Sequence, residues 1–192
     1  MNRSSHPAAR LVVASVVLLA GCGGFGRVEQ GLVVASSGDE LTLILDSNPG
    51  GAPRYDRVPP ARVRIPADPS QMGPPPDPGK LVDLDTAAGQ ATIFDASAGK
   101  LVTVPFTVIE RSGNVYPDDR RVRGRRLPHV DAAARRVTVY SHRTLELVTI
   151  EAPAEFLSLP EDSWKMGDEV RYYFKQPDQA LRMMNVSDTK IG

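Results

Sequence analysis

The sequence predicts an all-β protein, and three features of the chain lead to that prediction. Apolar and polar residues alternate with a period near two in most segments after residue 39, which is the pattern of half-buried strands. Short turn sequences, among them SSGDE, AAGQA, SAGK and QPDQ, separate these segments. A pattern suited to a short helical turn is confined to residues 152–164. Strands joined by tight turns are therefore the expected architecture.

Eight segments rich in β-branched and aromatic residues are the predicted strands. They are residues 40–46, 61–66, 91–95, 100–110, 135–141, 144–152, 169–175 and 180–187. The segment 61–66 lies within residues 47–79, which are predicted as a proline-rich loop because nine of the seventeen prolines lie between Pro53 and Pro78. Proline lacks the backbone N–H that helices and central strands need, so we expect neither in this loop.

The two halves of the chain carry similar patterns, which predicts an internal duplication. Residues 78–95 and 166–185 both run glycine, polar residue, apolar strand, turn, Gln-Ala and a second apolar strand. The alternative is that any two β-meanders look alike at this level of detail. Under the duplication, two small barrels of the OB or SH3-like kind are expected. The predicted division is a first β unit at residues 28–111, a basic linker at 112–126 and a second β unit at 127–192.

Residues 1–21 predict a lipoprotein signal peptide. Arginines without acidic neighbours precede the apolar run 11–20, and this run is shorter than the roughly 20 residues that span a bilayer. The following LAGC sequence resembles a lipobox, so cleavage is expected between Gly21 and Cys22, with the lipid on Cys22. Residues 22–27 then form a lipidated tether. The alternative is an ordinary secreted chain, cut at an A-x-A-like site, with a free cysteine.

The predicted cleavage also bears on the cellular address and on the partners. Without residues 1–21 the chain has 21 basic and 23 acidic residues, a net charge of −2, so its overall charge favours no particular partner and no nucleic acid is expected. Gly23 follows the cysteine where aspartate is the usual inner-membrane retention signal. This favours export to the outer membrane, facing the periplasm, over the inner membrane.

Three stretches of the chain resemble a known family. EFLSLPEDSWKMGDEVRYYFKQPDQALRMMNVS at 155–187, the early AGCGGFGRVEQGLVVA and the proline-rich MGPPPDPGKLVDLD are similar to an uncharacterised family of bacterial lipoproteins, a domain of unknown function familiar from sulfate-reducing bacteria. The resemblance covers most of the chain after the signal peptide. It implies no active site, because its motifs are structural. In line with this, Gly167 and Asp168 are interpreted as turn residues.

The chain after residue 22 contains few residues suited to catalysis. It has two histidines, His129 and His142, no further cysteine, and none of the common metal, nucleotide or hydrolase motifs. We therefore expect no enzyme, with no catalytic residue, metal or cofactor. Two alternatives stay open: a periplasmic enzyme acting on envelope material, and a weak Cu(I)- or Ag(I)-binding β-barrel. Soft ligands or an aromatic face for such a metal would come from His142, Trp164, Met166, Met183 and Met184.

Residues 118–136 hold seven arginines and three acidic residues, and this is the strongest charge pattern in the chain. An exported protein rarely meets nucleic acid, so the pattern predicts an anionic envelope component or a protein partner. The candidate anion-binding residues are Arg120, Arg121, Arg123, Arg125 and Arg126. The alternative is a solvated linker whose arginines pair with nearby acids. The expected function is a lipid-anchored, non-enzymatic binding or structural module of the cell envelope.

Overall fold

The computed structural model describes residues 25–188, and the prediction of an all-β protein is confirmed over this range. Its strands, in chain order, are β1 (Arg27–Ser37), β2 (Glu40–Asp46), β3 (Tyr55–Arg64), β4 (Leu81–Asp85), β5 (Gln90–Asp95), β6 (Lys100–Pro105), β7 (Thr107–Ser112), β8 (His129–Asp131), β9 (Arg136–Ser141), β10 (Glu146–Glu151), β11 (Glu169–Gln176) and β12 (Gln179–Asn185). One helical turn, α1 (Ala154–Leu157), and 3₁₀ turns at Pro69–Gln71 and Glu161–Trp164 complete the elements. None of the helices in residues 25–188 has the length and apolar character needed to cross a membrane.

Strands β1, β2, β3, β12 and β11 close into a barrel in that order, with β11 pairing back to β1. All neighbours are antiparallel except β3 and β12, which meet in parallel at Arg64 and Gln179. This strand order is that of the OB-fold, a five-stranded Greek-key barrel. Alternate residues point inward, as the period of two requires, and the interior is filled by apolar side chains that include Leu43, Tyr172 and Met183.

The remaining strands form two further sheets that share a second core. One has the order β4-β5-β6 and the other the order β7-β10-β9-β8. The chain passes from the first to the second at Phe106, whose side chain is buried and whose N–H donates to the Gly89 carbonyl at 2.8 Å. The predicted strand 100–110 is therefore two strands in two sheets. Trp164 is fully buried in the core between these sheets.

The β4-β5-β6 sheet is buried on both faces and joins the barrel to the second core. Ile93 points into the core that contains Trp164. The next residue, Phe94, points the opposite way and packs with Leu32 and Ile44 of the barrel strands. Since successive residues of a strand face opposite sides, β5 places side chains both in the core around Trp164 and against the barrel. The described residues therefore pack as three adjoining layers: the barrel, the β4-β5-β6 sheet and the β7-β10-β9-β8 sheet.

The strand pairing differs from the predicted division at residues 112–126. The barrel combines β1 to β3 with β11 and β12, so strands from both predicted units close one barrel, and residues 65–168 are inserted between its third and fourth strands. The internal duplication stays a prediction. Both of its matched segments do form hairpins, β4-β5 and β11-β12, and their glycines Gly79 and Gly167 lie against each other.

The prediction that residues 47–79 contain no central strand is wrong for β3, which includes Pro59 and Pro60. Leu43 pairs with Ala61, and Leu45 pairs with Arg57, so the intervening residues of β3 form a bulge. Proline is tolerated in a bulge because the ladder hydrogen bond is already interrupted there. The predicted signal peptide, Gly21 and Cys22 lie outside the described residues, and the predicted tether 22–27 overlaps β1 by one residue.

Candidate functional site

The basic linker predicted at residues 112–126 falls almost wholly within the loop between β7 and β8, residues 113–128, which is called the basic loop below. The side chains of Val115 and Val122 are buried and attach the loop to the sheet. The Val115 N–H donates to the Leu145 carbonyl at 2.8 Å, and the Tyr140 hydroxyl donates to the Val115 carbonyl at 2.9 Å. The loop therefore presents its arginines from a backbone held on the β9-β10 hairpin.

Asp119 organises the start of the basic loop. Its carboxylate accepts the Arg121 backbone N–H at 2.8 Å and two guanidinium hydrogen bonds at 2.9 and 2.6 Å. Hydrogen bonds from the Arg121 guanidinium, and to a smaller extent from the Arg121 backbone N–H, hold the pKa of the Asp119 carboxyl well below its usual range. In turn, the Asp119 carboxylate raises the pKa of Arg121. The charge of Arg121 is therefore matched within the loop.

The five candidate arginines fall into two groups. Arg126 forms an ion pair with Glu161 and Arg121 forms one with Asp119. Arg120, Arg123 and Arg125 are exposed, and no acidic side chain within residues 25–188 lies at ion-pair distance from any of the three. Local pairing thus neutralises part of the cluster and leaves three guanidinium groups open to solvent. Anion binding by the five residues stays a prediction.

A polar cavity of about 140 Å³ lies where the end of the basic loop meets the β9-β10 hairpin and the segment that precedes β11. It is lined by Asp77, Leu127, Pro128, Tyr140, His142, Trp164, Lys165, Met166 and Asp168. The Nε2 atom of His142 lies 3.0 Å from the Ser187 hydroxyl and 3.8 Å from an Asp168 carboxylate oxygen. Burial lowers the pKa of His142, and Asp168 acts in the opposite direction. Burial therefore favours the neutral form of the imidazole.

His142, Ser187 and Asp168 do not form a nucleophilic triad, although all three residue types are present. The hydroxyl and the carboxylate approach the same nitrogen, Nε2, whereas a triad needs them on opposite nitrogens of the ring. The Ser187 oxygen also accepts the Glu169 backbone N–H at 2.8 Å. Ser187 thus acts as a link between β11 and the chain after β12.

Three of the five candidate soft-metal residues line this cavity: His142, Trp164 and Met166. Met183 is buried in the barrel interior instead, and Met184 is 44% exposed on the barrel exterior. The Met166 sulfur accepts the Ser141 hydroxyl at 3.4 Å. The Trp164 indole N–H is buried and has no hydrogen-bond partner among residues 25–188. The structure therefore brings two soft donors and one ring together and separates the remaining methionines.

An arginine that the sequence did not single out, Arg143, connects the layers of the fold. It donates to Asp83 at 3.0 Å and to Glu169 at 3.4 Å, and its guanidinium lies 5.7 Å from the Tyr55 ring centre. Burial is the largest cause of a raised pKa of Tyr55, so the phenol stays protonated. No local pattern marks Arg143, because its partners lie in β4, β11 and β3.

All of the described residues fall within a match to one protein family. The family model described as "Domain of unknown function (DUF4881)" matches residues 24–192. The chain belongs to the DUF4881 family. No curated protein and no solved structure matches it. The DUF4881 match covers the barrel, the inserted sheets and the basic loop, and it confirms the expected resemblance to a family of unknown function.

Proposed function

We propose that this DUF4881 protein is a lipid-anchored protein of the bacterial envelope, a non-enzymatic module that binds an anionic component through the basic loop. The anchor is the lipid on Cys22, which follows the LAGC cleavage motif. The outer membrane, facing the periplasm, is the proposed address, because Gly23 stands where an aspartate would retain the protein at the inner membrane. Members of the family in sulfate-reducing bacteria are proposed to share this anchor.

The observation that carries the binding proposal is the position of Arg120, Arg123 and Arg125. All three are exposed, and none of them forms an ion pair within residues 25–188, whereas Arg121 and Arg126 are paired with Asp119 and Glu161. A planar guanidinium binds a carboxylate or phosphate through two parallel hydrogen bonds. Because buried Val115 and Val122 hold the loop, less conformational entropy is lost when an anion binds. The expected ligand is an acidic polymer or protein with several carboxylate or phosphate groups.

Binding is tested with the chain from Gly23 onward and fluorescent polyglutamate or polyphosphate, measured by anisotropy at increasing salt. Replacing Arg120, Arg123 and Arg125 by Gln is expected to weaken binding about tenfold, because three exposed pairs of about 0.5 kcal/mol each are lost. The matched control replaces Arg54, Arg62 and Arg64 by Gln. These arginines pair with acids on the barrel, and their loss changes the net charge equally. Equal weakening in both variants, or in neither, contradicts the proposal.

The anchor is tested separately in cells by metabolic labelling with a fatty-acid probe. The parent chain is expected to take up the label and to fractionate with the outer membrane. Cys22→Ser removes the thiol that would carry the lipid, so the variant is expected to stay unlabelled and either unprocessed or soluble. Label retained by Cys22→Ser would show that the lipid is attached elsewhere, and an unlabelled parent chain would show that the protein is not a lipoprotein.

A second candidate function, Cu(I) or Ag(I) binding, is favoured by one observation: His142, Met166 and Trp164 line the same cavity. Imidazole and thioether ligands suit soft monovalent ions, and an indole face attracts cations. Loading the chain from Gly23 with Cu(I), followed by dialysis, should leave one ion per chain. Met166→Leu should abolish this retention, with Met184→Leu on the barrel exterior as the control. A metal-free parent chain after dialysis excludes this function.

A further inference from the structure

The outer face of β1, β11 and β12 combines exposed apolar side chains with arginines. Val28 pairs with Tyr173, which pairs with Arg182, and Arg171 pairs with Met184. Because residues paired across strands point to the same side of a sheet, these five side chains share one face, called the β11 face below. They line one shallow depression of about 400 Å³. Val28 is 61% exposed and Met184 is 44% exposed.

The charge of the β11 face is positive. The Arg171 guanidinium donates to the neutral amide oxygen of Gln30 at 2.8 Å, so its charge is not matched by an acid. Arg182 has no ion pair with any acidic side chain in residues 25–188, and none of the five residues of the face is acidic. An apolar surface with uncompensated arginines and a tyrosine is typical of proteins that rest on a membrane interface.

The N-terminal segment enters the barrel at this same face. Phe25 is 96% exposed, and Gly26 lies so close to Tyr173 that a side chain at residue 26 would overlap the tyrosine ring. Cys22 precedes Phe25 by three residues, which span at most about 11 Å. This step rests on the proposed lipid at Cys22. A lipid at that position would hold the β11 face within about one Debye length of the bilayer surface.

From these contacts we propose that the β11 face is a docking surface for an anionic bilayer. Val28, Met184 and Phe25 enter the headgroup region, and Tyr173 takes an interfacial position with its ring against the apolar boundary. Arg171 and Arg182 bind lipid phosphates, and their alkyl stems cover the apolar surface. The barrel thus lies on the membrane by one defined side.

The test is co-sedimentation of the chain from Gly23 with vesicles of phosphatidylglycerol and phosphatidylcholine. This chain keeps every described residue and the whole family match, from residue 24. Replacing Arg171 and Arg182 by Gln should weaken binding about 25-fold, about fivefold or 1 kcal/mol per arginine. The control, Arg62→Gln with Arg64→Gln, removes two arginines that pair with acids on the barrel; it changes the net charge equally and should change binding less than about twofold. Equal losses in both variants, or a larger loss in the control, overturn the proposal.

A second measurement does not depend on charge removal. The chain from Gly23 contains no cysteine, so Val28→Cys offers one site for a polarity-sensitive fluorophore. Its emission should shift to the blue with phosphatidylglycerol vesicles, whereas a label at Ala98→Cys in the β5-β6 turn should not shift. No shift at residue 28, or equal shifts at both, overturns the proposal. Since the vesicle experiments use a chain without the lipid, their failure is distinct from a failure of Cys22 labelling in cells.

Discussion

Gly167→Ala is expected to be among the most destabilising single substitutions in this protein. A Cβ atom at residue 167 would lie 2.9 Å from both the backbone nitrogen and the carbonyl oxygen of Gly79, and closer still to the Val33 carbonyl oxygen. All three are backbone atoms of adjoining segments, so no side-chain rotation relieves the overlap. Gly167 was interpreted as a turn glycine, but the structure shows that close backbone approach is what requires it.

The cost follows from the hydrogen bonds that a shift would break. The Gly79 N–H donates to the Val33 carbonyl at 3.0 Å, and the Val33 N–H donates to the Asp168 carbonyl at 2.9 Å. A buried backbone group that loses its partner costs about 1 to 3 kcal/mol, so moving Val33 away from residue 167 costs about 2 to 6 kcal/mol. This is a large part of the 5 to 15 kcal/mol that usually stabilises a domain.

Urea unfolding followed by the fluorescence of the buried Trp164 measures this cost. With a slope of about 2 kcal/mol/M, the midpoint should fall by about 1 to 3 M. Gly113→Ala is the matched control, because its Cβ meets no atom within 4 Å, and its effect should stay within about 0.5 kcal/mol. A midpoint for Gly167→Ala within about 0.3 M of the parent would refute the argument from close approach.

Four further predictions concern His142, the basic loop, the fragment 127–192 and Phe94. Burial lowers the pKa of His142, so the imidazole binds a proton more readily in the unfolded chain than in the folded protein. The free energy of unfolding should therefore fall as pH drops from about 7 to 5. Urea titrations at each pH should show a smaller fall for His142→Gln. An equal fall in both proteins would exclude this cause. Trypsin should cut first in residues 113–128. The two fragments should still co-elute in gel filtration, because β1 in the first fragment pairs with β11 in the second. Fragments that separate without denaturant would contradict this pairing. Residues 127–192 expressed alone should not unfold cooperatively, because their strands β11 and β12 lack the rest of the barrel. Phe94→Ala should cost about 3 to 5 kcal/mol in urea unfolding, because the ring fills the layer between the barrel and β5, and a cost below about 1 kcal/mol would show that the layers do not pack there.

Local sequence patterns were sufficient where the structure depends on neighbouring residues. The alternation in residues 40–46 corresponds to β2 with the same bounds, and the stretch 152–164 contains the only α-helical turn among residues 25–188. Strand β1 was missed, because its pattern is interrupted by Gly31 and by a bulge at residues 33–35. The seven arginines of residues 118–136 were visible as a cluster because they are close in sequence.

Which strand pairs with which could not be predicted from these patterns. Strand β11 pairs with β1 across about 140 residues, and a period of two specifies which side of a strand is buried but not its neighbour. The same limit applies to the site. Glu161, which neutralises Arg126, is 35 residues away in sequence, so the separation of free from paired arginines depends on the fold. The sequence by itself therefore determines most strands, the turns and the arginine cluster. Only the tertiary structure decides the barrel closure, the cavity at His142 and the β11 face, because these depend on contacts between distant segments.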